Sequence, residues 1–189
     1  MNLFQFMTLS SLIISQVSCS GGSSDSTGST GTFTLSSASI ENGGTLPDGL
    51  KCESNGGSGL SPALSWSNIP SGAVEFAIVM FHYPDGVDTA TGTPSQYWLL
   101  WDIPATANSL SAGNTESVGT EGSNKDGVET GYTSPCSPAG SVKSYTIRIY
   151  ALSGEPSLSG IDDVSVNYTA FTAAMTDITL GYADLTFTN

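Results

Sequence analysis

The stretch FAIVMFHYPDG, residues 76–86, carries the protein's single histidine, His82, three residues before Asp85. An imidazole and a carboxylate flanking a turn are the residue types of general acid–base chemistry. The competing reading is an ordinary residue at a strand edge. Other chemistry is thin. One histidine and no close cysteine pair exclude a usual zinc site. No Gly-x-Ser-x-Gly elbow exists, and a Ser-His-Asp triad has no committed base. Asp162 and Asp163 could take calcium or simply solvate a surface. The stretch GTEGSNKDG, 119–127, is glycine-rich but lacks the helix and Lys-Ser/Thr of a phosphate loop. The sequon NYT, 167–169, falls inside a helical pattern. These residues nominate no catalytic group, cofactor or metal, and a hydrolase using His82 or Asp85 is the weakest reading.

The charge balance narrows the partners. Seventeen acids face four basic residues, for a net charge of −13. Nucleic-acid binding is driven by phosphate neutralisation, so this chain is a poor candidate for it. An anionic membrane surface would be equally unfavourable. The acidity otherwise reads as a matter of solubility.

The elements that must position these residues are mostly strands. Gly, Ser and Thr are abundant and charged residues are only 11% of the chain, which suits a turn-rich β protein. Alternation predicts strands over 32–37, 63–67, 144–152 and 182–189. In 144–152, Tyr145, Ile147, Ile149 and Ala151 fall on one face, with Thr146, Arg148 and Tyr150 on the other. The stretches 74–82 and 96–103 are apolar on both faces, so they belong mid-sandwich or beneath a second layer. Residues 41–59 read as loop. The stretch NYTAFTAAMTD, 167–177, reads as the one helix, with Asn167 as N-cap and Tyr168, Phe171 and Met175 on one face. The fold class is mainly β: one domain of two packed antiparallel sheets with one short helix before the last strand.

The N-terminal residues 1–19 carry no charge and an apolar stretch too short to span a membrane, and read as a secretory signal. Cys19, followed by a Gly/Ser/Thr tether over 20–31, resembles the lipidated cysteine of a bacterial lipoprotein. The domain would then occupy 32–189, tethered to the bacterial cell envelope and touching membrane only through its lipid; a soluble periplasmic or secreted form is the alternative. With Cys19 lipidated, Cys52 and Cys136 remain, either as a disulfide in an oxidising compartment or as two separate buried thiols.

Five stretches stand in order: LSPALSW (60–66), FHYPDG (81–86), YWLLWDIP (97–104), GSNKDGVETGYTSPCSPAG (122–140) and YTIRIYAL (145–152). Together they resemble the phosphatidylethanolamine-binding protein family, in its bacterial Raf-kinase-inhibitor-like (YbhB/YbcL-like) branch. The resemblance implies two packed antiparallel sheets and a small pocket at one end for a phosphate-like anion or lipid headgroup. It places Tyr83, Asp85, Tyr97, Trp98, Gly131, Tyr132, Ser134 and Pro135 at that pocket, with His82 and Glu53 behind them. Tyr83 stands where the family has the first Asp of D-P-D-A-P, Tyr97 where it has the His of H-W, and Glu53 where it has the Asp of C-D-G. Phenols at two pocket positions imply an aromatic, narrow site poorly suited to acid–base work. Strand alternation sets His82 and Tyr83 on opposite faces. If Tyr83 faces the pocket, His82 faces away, with Asp102 on the neighbouring strand as a candidate partner. The resemblance supports a binding module. The alternative is an interaction or inhibitor protein that acts through its surface over a vestigial pocket.

Overall fold

The computed structural model describes residues 31–138 and 140–189; Cys19 and most of the tether lie outside them. In chain order the elements are β1 (Thr34–Ser36), β2 (Gly44–Thr45), β3 (Leu64–Ser67), β4 (Glu75–His82), β5 (Ser95–Pro104), β6 (Ser109–Leu110), β7 (Thr120–Glu121), β8 (Ser144–Leu152), α1 (Tyr168–Met175) and β9 (Thr179–Thr188). They form a three-stranded sheet, β1-β3-β6, and a six-stranded sheet, β2-β9-β8-β4-β5-β7. Among these strands all pairings are antiparallel except β2 with β9.

Burial follows the sequence pattern. The first seven residues of β4, from Glu75 to Phe81, are buried, because β4 lies inside the larger sheet with both faces covered. Phe76, Ile78 and Met80 join Leu35, Trp66, Ile147 and Leu185 in the core between the sheets. Ala77, Val79 and Phe81 join Trp101, Phe171 and Met175 in a second core beneath α1. The two-sided apolar runs are thus explained by two layers. The alternation of β8 holds as well: Tyr145, Ile147, Ile149 and Ala151 enter the inter-sheet core. Across from Asp184, Arg148 forms a two-pronged ion pair at 2.7 Å and lies 4.0 Å over the Tyr182 ring. A planar guanidinium suits both contacts. Asn167 Oδ1 accepts the Ala170 N–H at 3.0 Å, capping α1 as its residue type favours.

Two bulges interrupt the pairing of β5 with β4. Met80 pairs with Trp98 but Phe81 with Gln96, so Tyr97 is an extra residue on β5. A bulge breaks strict alternation, and Tyr97 packs into the same inter-sheet core as Trp98. Between Phe76–Ile103 and Ile78–Leu100 a second extra residue is accommodated, where Asp102 adopts a left-handed φ of 57°.

Cys52 and Cys136 are joined as a disulfide, with Cα atoms 5.2 Å apart and a sequence separation of 84 residues. Closing a loop of that length stabilises by about 4–5 kcal/mol in the chain-entropy account. The bridge ties the short 3-10 turn Glu53–Asn55 to the 131–138 loop, and Cys52 N–H also donates to the Pro135 carbonyl at 3.1 Å.

Candidate ligand-binding site

The residues singled out from the sequence separate into an aromatic group inside the fold and a polar group at its surface. Trp98 is fully buried, and its indole N–H donates to Glu121 Oε1 at 2.9 Å. It therefore offers no face to a ligand. Tyr132 meets its ring edge-on at 5.7 Å. Tyr97 packs edge-on against Tyr145 at 5.1 Å, and Tyr145 stacks on Phe187 at 5.5 Å. Burial, then the neighbouring Tyr145 phenol, pushes the Tyr97 hydroxyl above the ordinary phenol range. Burial does the same to Tyr132. Both phenols are held neutral and cannot serve as bases. The Tyr132 hydroxyl is buried with no hydrogen-bond partner among the described residues.

The 131–138 loop packs beside this group, in which Tyr97 and Tyr132 stay partly buried. Thr133 N–H donates to the Tyr97 carbonyl at 2.7 Å, an acceptor that the bulge frees from the ladder, and Gly131 N–H donates to Gly122 O at 3.1 Å. These two N–H groups are spent on the protein and are not free to donate to an anion. A Cβ on Gly131, whose φ is 105°, would lie 3.1 Å from Glu121 Oε2. Glycine is required there for both its φ and its close approach. Ser134 and Glu53 both lie near Gly59, their side chains 3.9 and 3.6 Å from where a Cβ would stand. Pro135 is buried.

The polar group lies at the end of β4. His82 and Tyr83 turn to different ring neighbours, yet both line the same recess. His82 lies against Tyr145, ring centroids 5.1 Å apart, on the Tyr97 side. Tyr83 packs edge-on against Phe81 in the core beneath α1. Asp102 is not the histidine's partner. His82 pairs with Ser95, whereas Asp102 lies at the far end of β5 beside Glu75. The His82 Nδ1–H donates to the Ser144 carbonyl at 2.9 Å, leaving Nε2 as the basic nitrogen of the neutral ring.

Here the surface opens into a recess of about 310 Å³ lined by His82, Tyr83, Asp85, Thr89, Lys143, Ser144 and Thr146, with Phe81 and Val142 as apolar walls. Asp85 pairs with Lys143, whose ammonium holds its carboxyl below the usual range. Each of the four basic residues has an evident contact: Lys51 with Asp48, Arg148 with Asp184, Lys143 with Asp85, and Lys125 over the Tyr97 ring. Among the described residues, Lys143 is thus the one lysine or arginine at a recess that also holds the histidine. The sequence reading passed it over because it sits one residue before the alternating run of β8. Its rarity in so acidic a chain was the signal available.

A family model described as phosphatidylethanolamine-binding protein matches residues 36–189. The chain belongs to that family. A UPF0098 protein of Aquifex aeolicus is 30% identical over 123 residues, 63% of this chain and 67% of its own length. LppC of Mycobacterium tuberculosis, provisionally named a lipoprotein, is 31% identical over 121 residues, 64% of this chain and 55% of its own. The match thus spans just over half of LppC. Among solved structures, the family homologue CT736 from Chlamydia trachomatis superposes with a TM-score of 0.69 at 25% identity, covering 83% of this chain and 96% of its own. Escherichia coli YbcL, described as a member of the mammalian family, gives 0.69 at 23%, covering 82% and 96%. The two-sheet architecture with one helix is therefore the family fold.

Proposed function

We propose that this protein is a binding member of the family, carried at the bacterial envelope by lipid on Cys19, that takes a small polar or anionic ligand at the His82–Asp85–Lys143 recess. The observation that carries the reading is the convergence of the imidazole, the Asp85–Lys143 pair and the Ser144 and Thr146 positions on one opening of about 310 Å³. An incoming anion can take Lys143 from Asp85, an exchange that costs little because exposed ion pairs are weak. The aromatic group around Tyr97 and Trp98 packs on the inter-sheet core and is not among the residues that line this recess. The likeness to LppC supports the anchored location.

A thermal-shift series with inorganic phosphate, phosphoethanolamine and simple sugars tests the reading. Saturable stabilisation by an anion, lost in Lys143→Ala and kept in Tyr97→Phe, is the expected result. The absence of a shift with every compound would move the function to a protein-binding surface, the second reading the sequence allows.

A further inference from the structure

Among the described residues, the outer edge of β9 is bare over most of its length. Its neighbour on that side, β2, is two residues long and pairs with Phe187 and Thr188 alone. Lys143 and Asn189 exchange both backbone bonds at 2.9 Å. In the antiparallel register with β8, the odd-numbered residues of β9 therefore bond inward and the even-numbered ones face out. The contacts agree. Gly43 N–H donates to Thr186 O and Leu46 N–H to Thr188 O, both at 2.7 Å, and Thr186 N–H donates to Asn42 Oδ1 at 2.9 Å. Beyond Asn42 the pairing ends. The N–H and C=O groups of Tyr182 and Asp184 point outward with no hydrogen-bond partner among the described residues.

Edge strands are ordinarily protected from pairing by lysine, proline or an unpaired inward charge. The stretch 181–185 has neither lysine nor proline, and the charge of Asp184 is taken up by Arg148 at 2.7 Å. Tyr182 is 54% exposed and lies over the same guanidinium at 4.0 Å, a fixed aromatic wall beside the open backbone groups. Such an edge accepts an extended segment as an added strand. Charge selects the segment. Exposed acids stand at both ends of the bare stretch: Glu41 is next to Asn42, and Asp177 comes two residues before β9. Neither takes part in an ion pair among the described residues. Of the four basic residues only Arg148 adjoins the stretch, and it is engaged by Asp184. A second copy, also at −13, would be repelled. We propose that the outer edge of β9 at Tyr182 and Asp184 is a docking site for an extended, basic segment of a partner protein, which adds a strand there and turns lysine or arginine side chains towards Glu41 and Asp177. This edge shares no residue with the His82–Lys143 recess, and neither reading depends on the other.

The test titrates the end-blocked peptide Lys-Thr-Val-Thr-Val-Thr-Lys into the protein and follows its amide resonances. Saturable shifts are expected at Tyr182 and Asp184, with Lys143 and Ser144 unmoved. Tyr182→Pro removes one outward N–H and leaves the β8 ladder intact, a place where an edge strand tolerates proline. It should abolish the shifts, whereas Tyr182→Ala, which keeps the N–H, should retain them. Exchanging both peptide lysines for glutamate should weaken binding roughly tenfold, the worth of two exposed ion pairs. Glu41→Lys combined with Asp177→Lys, two exposed changes that folding should tolerate, should reverse the preference between the two peptides. An absence of shifts at Tyr182 and Asp184, shifts that survive Tyr182→Pro, or a preference that the charge exchange does not reverse would overturn the proposal. So would a concentration-dependent dimer in sedimentation that Tyr182→Pro abolishes, because the edge would then belong to a second copy.

Discussion

Single atoms decide much of the behaviour expected here. The Tyr132 hydroxyl is buried and unpartnered among the described residues, and such a group costs about 1–3 kcal/mol relative to one that is satisfied. Tyr132→Phe should therefore hold or raise stability, by up to about 1 kcal/mol in chemical denaturation. A clear loss would mean that the hydroxyl has a partner in solution. Glu75 works through its proton. Burial raises its carboxyl to about 7, so the folded chain binds more protons than the unfolded one and stability falls as pH climbs towards 7. Glu75→Gln should be near neutral at pH 4 and stabilising by roughly 1–2 kcal/mol at pH 8. An equal effect at both pH values would show that the buried charge is not the cause. At Trp98 the expectation is the opposite. Removing its partner with Glu121→Leu leaves the indole N–H stranded and should cost about 1–3 kcal/mol.

Elements were legible where a period repeats. The strands read at 144–152 and 182–189 correspond to β8 and β9, and the helix read at 167–177 corresponds to α1 at Tyr168–Met175. Each buries a face that its sequence marks. The two-residue strands β2, β6 and β7 are too short to carry a period, and they exist only because a neighbour offers an edge. The bulges at Tyr97 and Asp102 were illegible for a different reason. A bulge is a mismatch between two strands, and one strand's alternation does not contain it. The first bulge turns Tyr97 towards Tyr145, which His82 also meets, a placement that alternation along β5 does not reveal. Capping belongs to this scale too: Asn167→Ala should cost about 1 kcal/mol, read as a lower thermal midpoint, since Asn167 Oδ1 holds the Ala170 N–H.

At the scale of the molecule, the order of five weak motifs carried the family where none did alone. The resemblance places the candidate residues together, but the folded chain divides them between an aromatic group packed on the core and an open polar recess. Volume decides this. Tyr97, Tyr132 and Tyr145 are large enough to occupy the space that smaller side chains would leave to a ligand, and sequence types alone do not show whether a cavity is filled. The disulfide acts at this scale as well, tying two loops across 84 residues. Cys136→Ser should lower stability by about 4 kcal/mol, and the denatured wild type should show no free thiol from Cys52 or Cys136 before reduction.

On the proposed function, the ligand sits at the histidine–lysine recess and leaves the tyrosine interior closed. An amide and imidazole NMR titration with inorganic phosphate tests this most directly. Saturable shifts are expected at Lys143, Ser144 and the His82 ring, with Tyr132 to Ser134 unmoved. Shifts confined to the 131–138 loop and the Trp98 indole would contradict it and reopen the interior as the binding site.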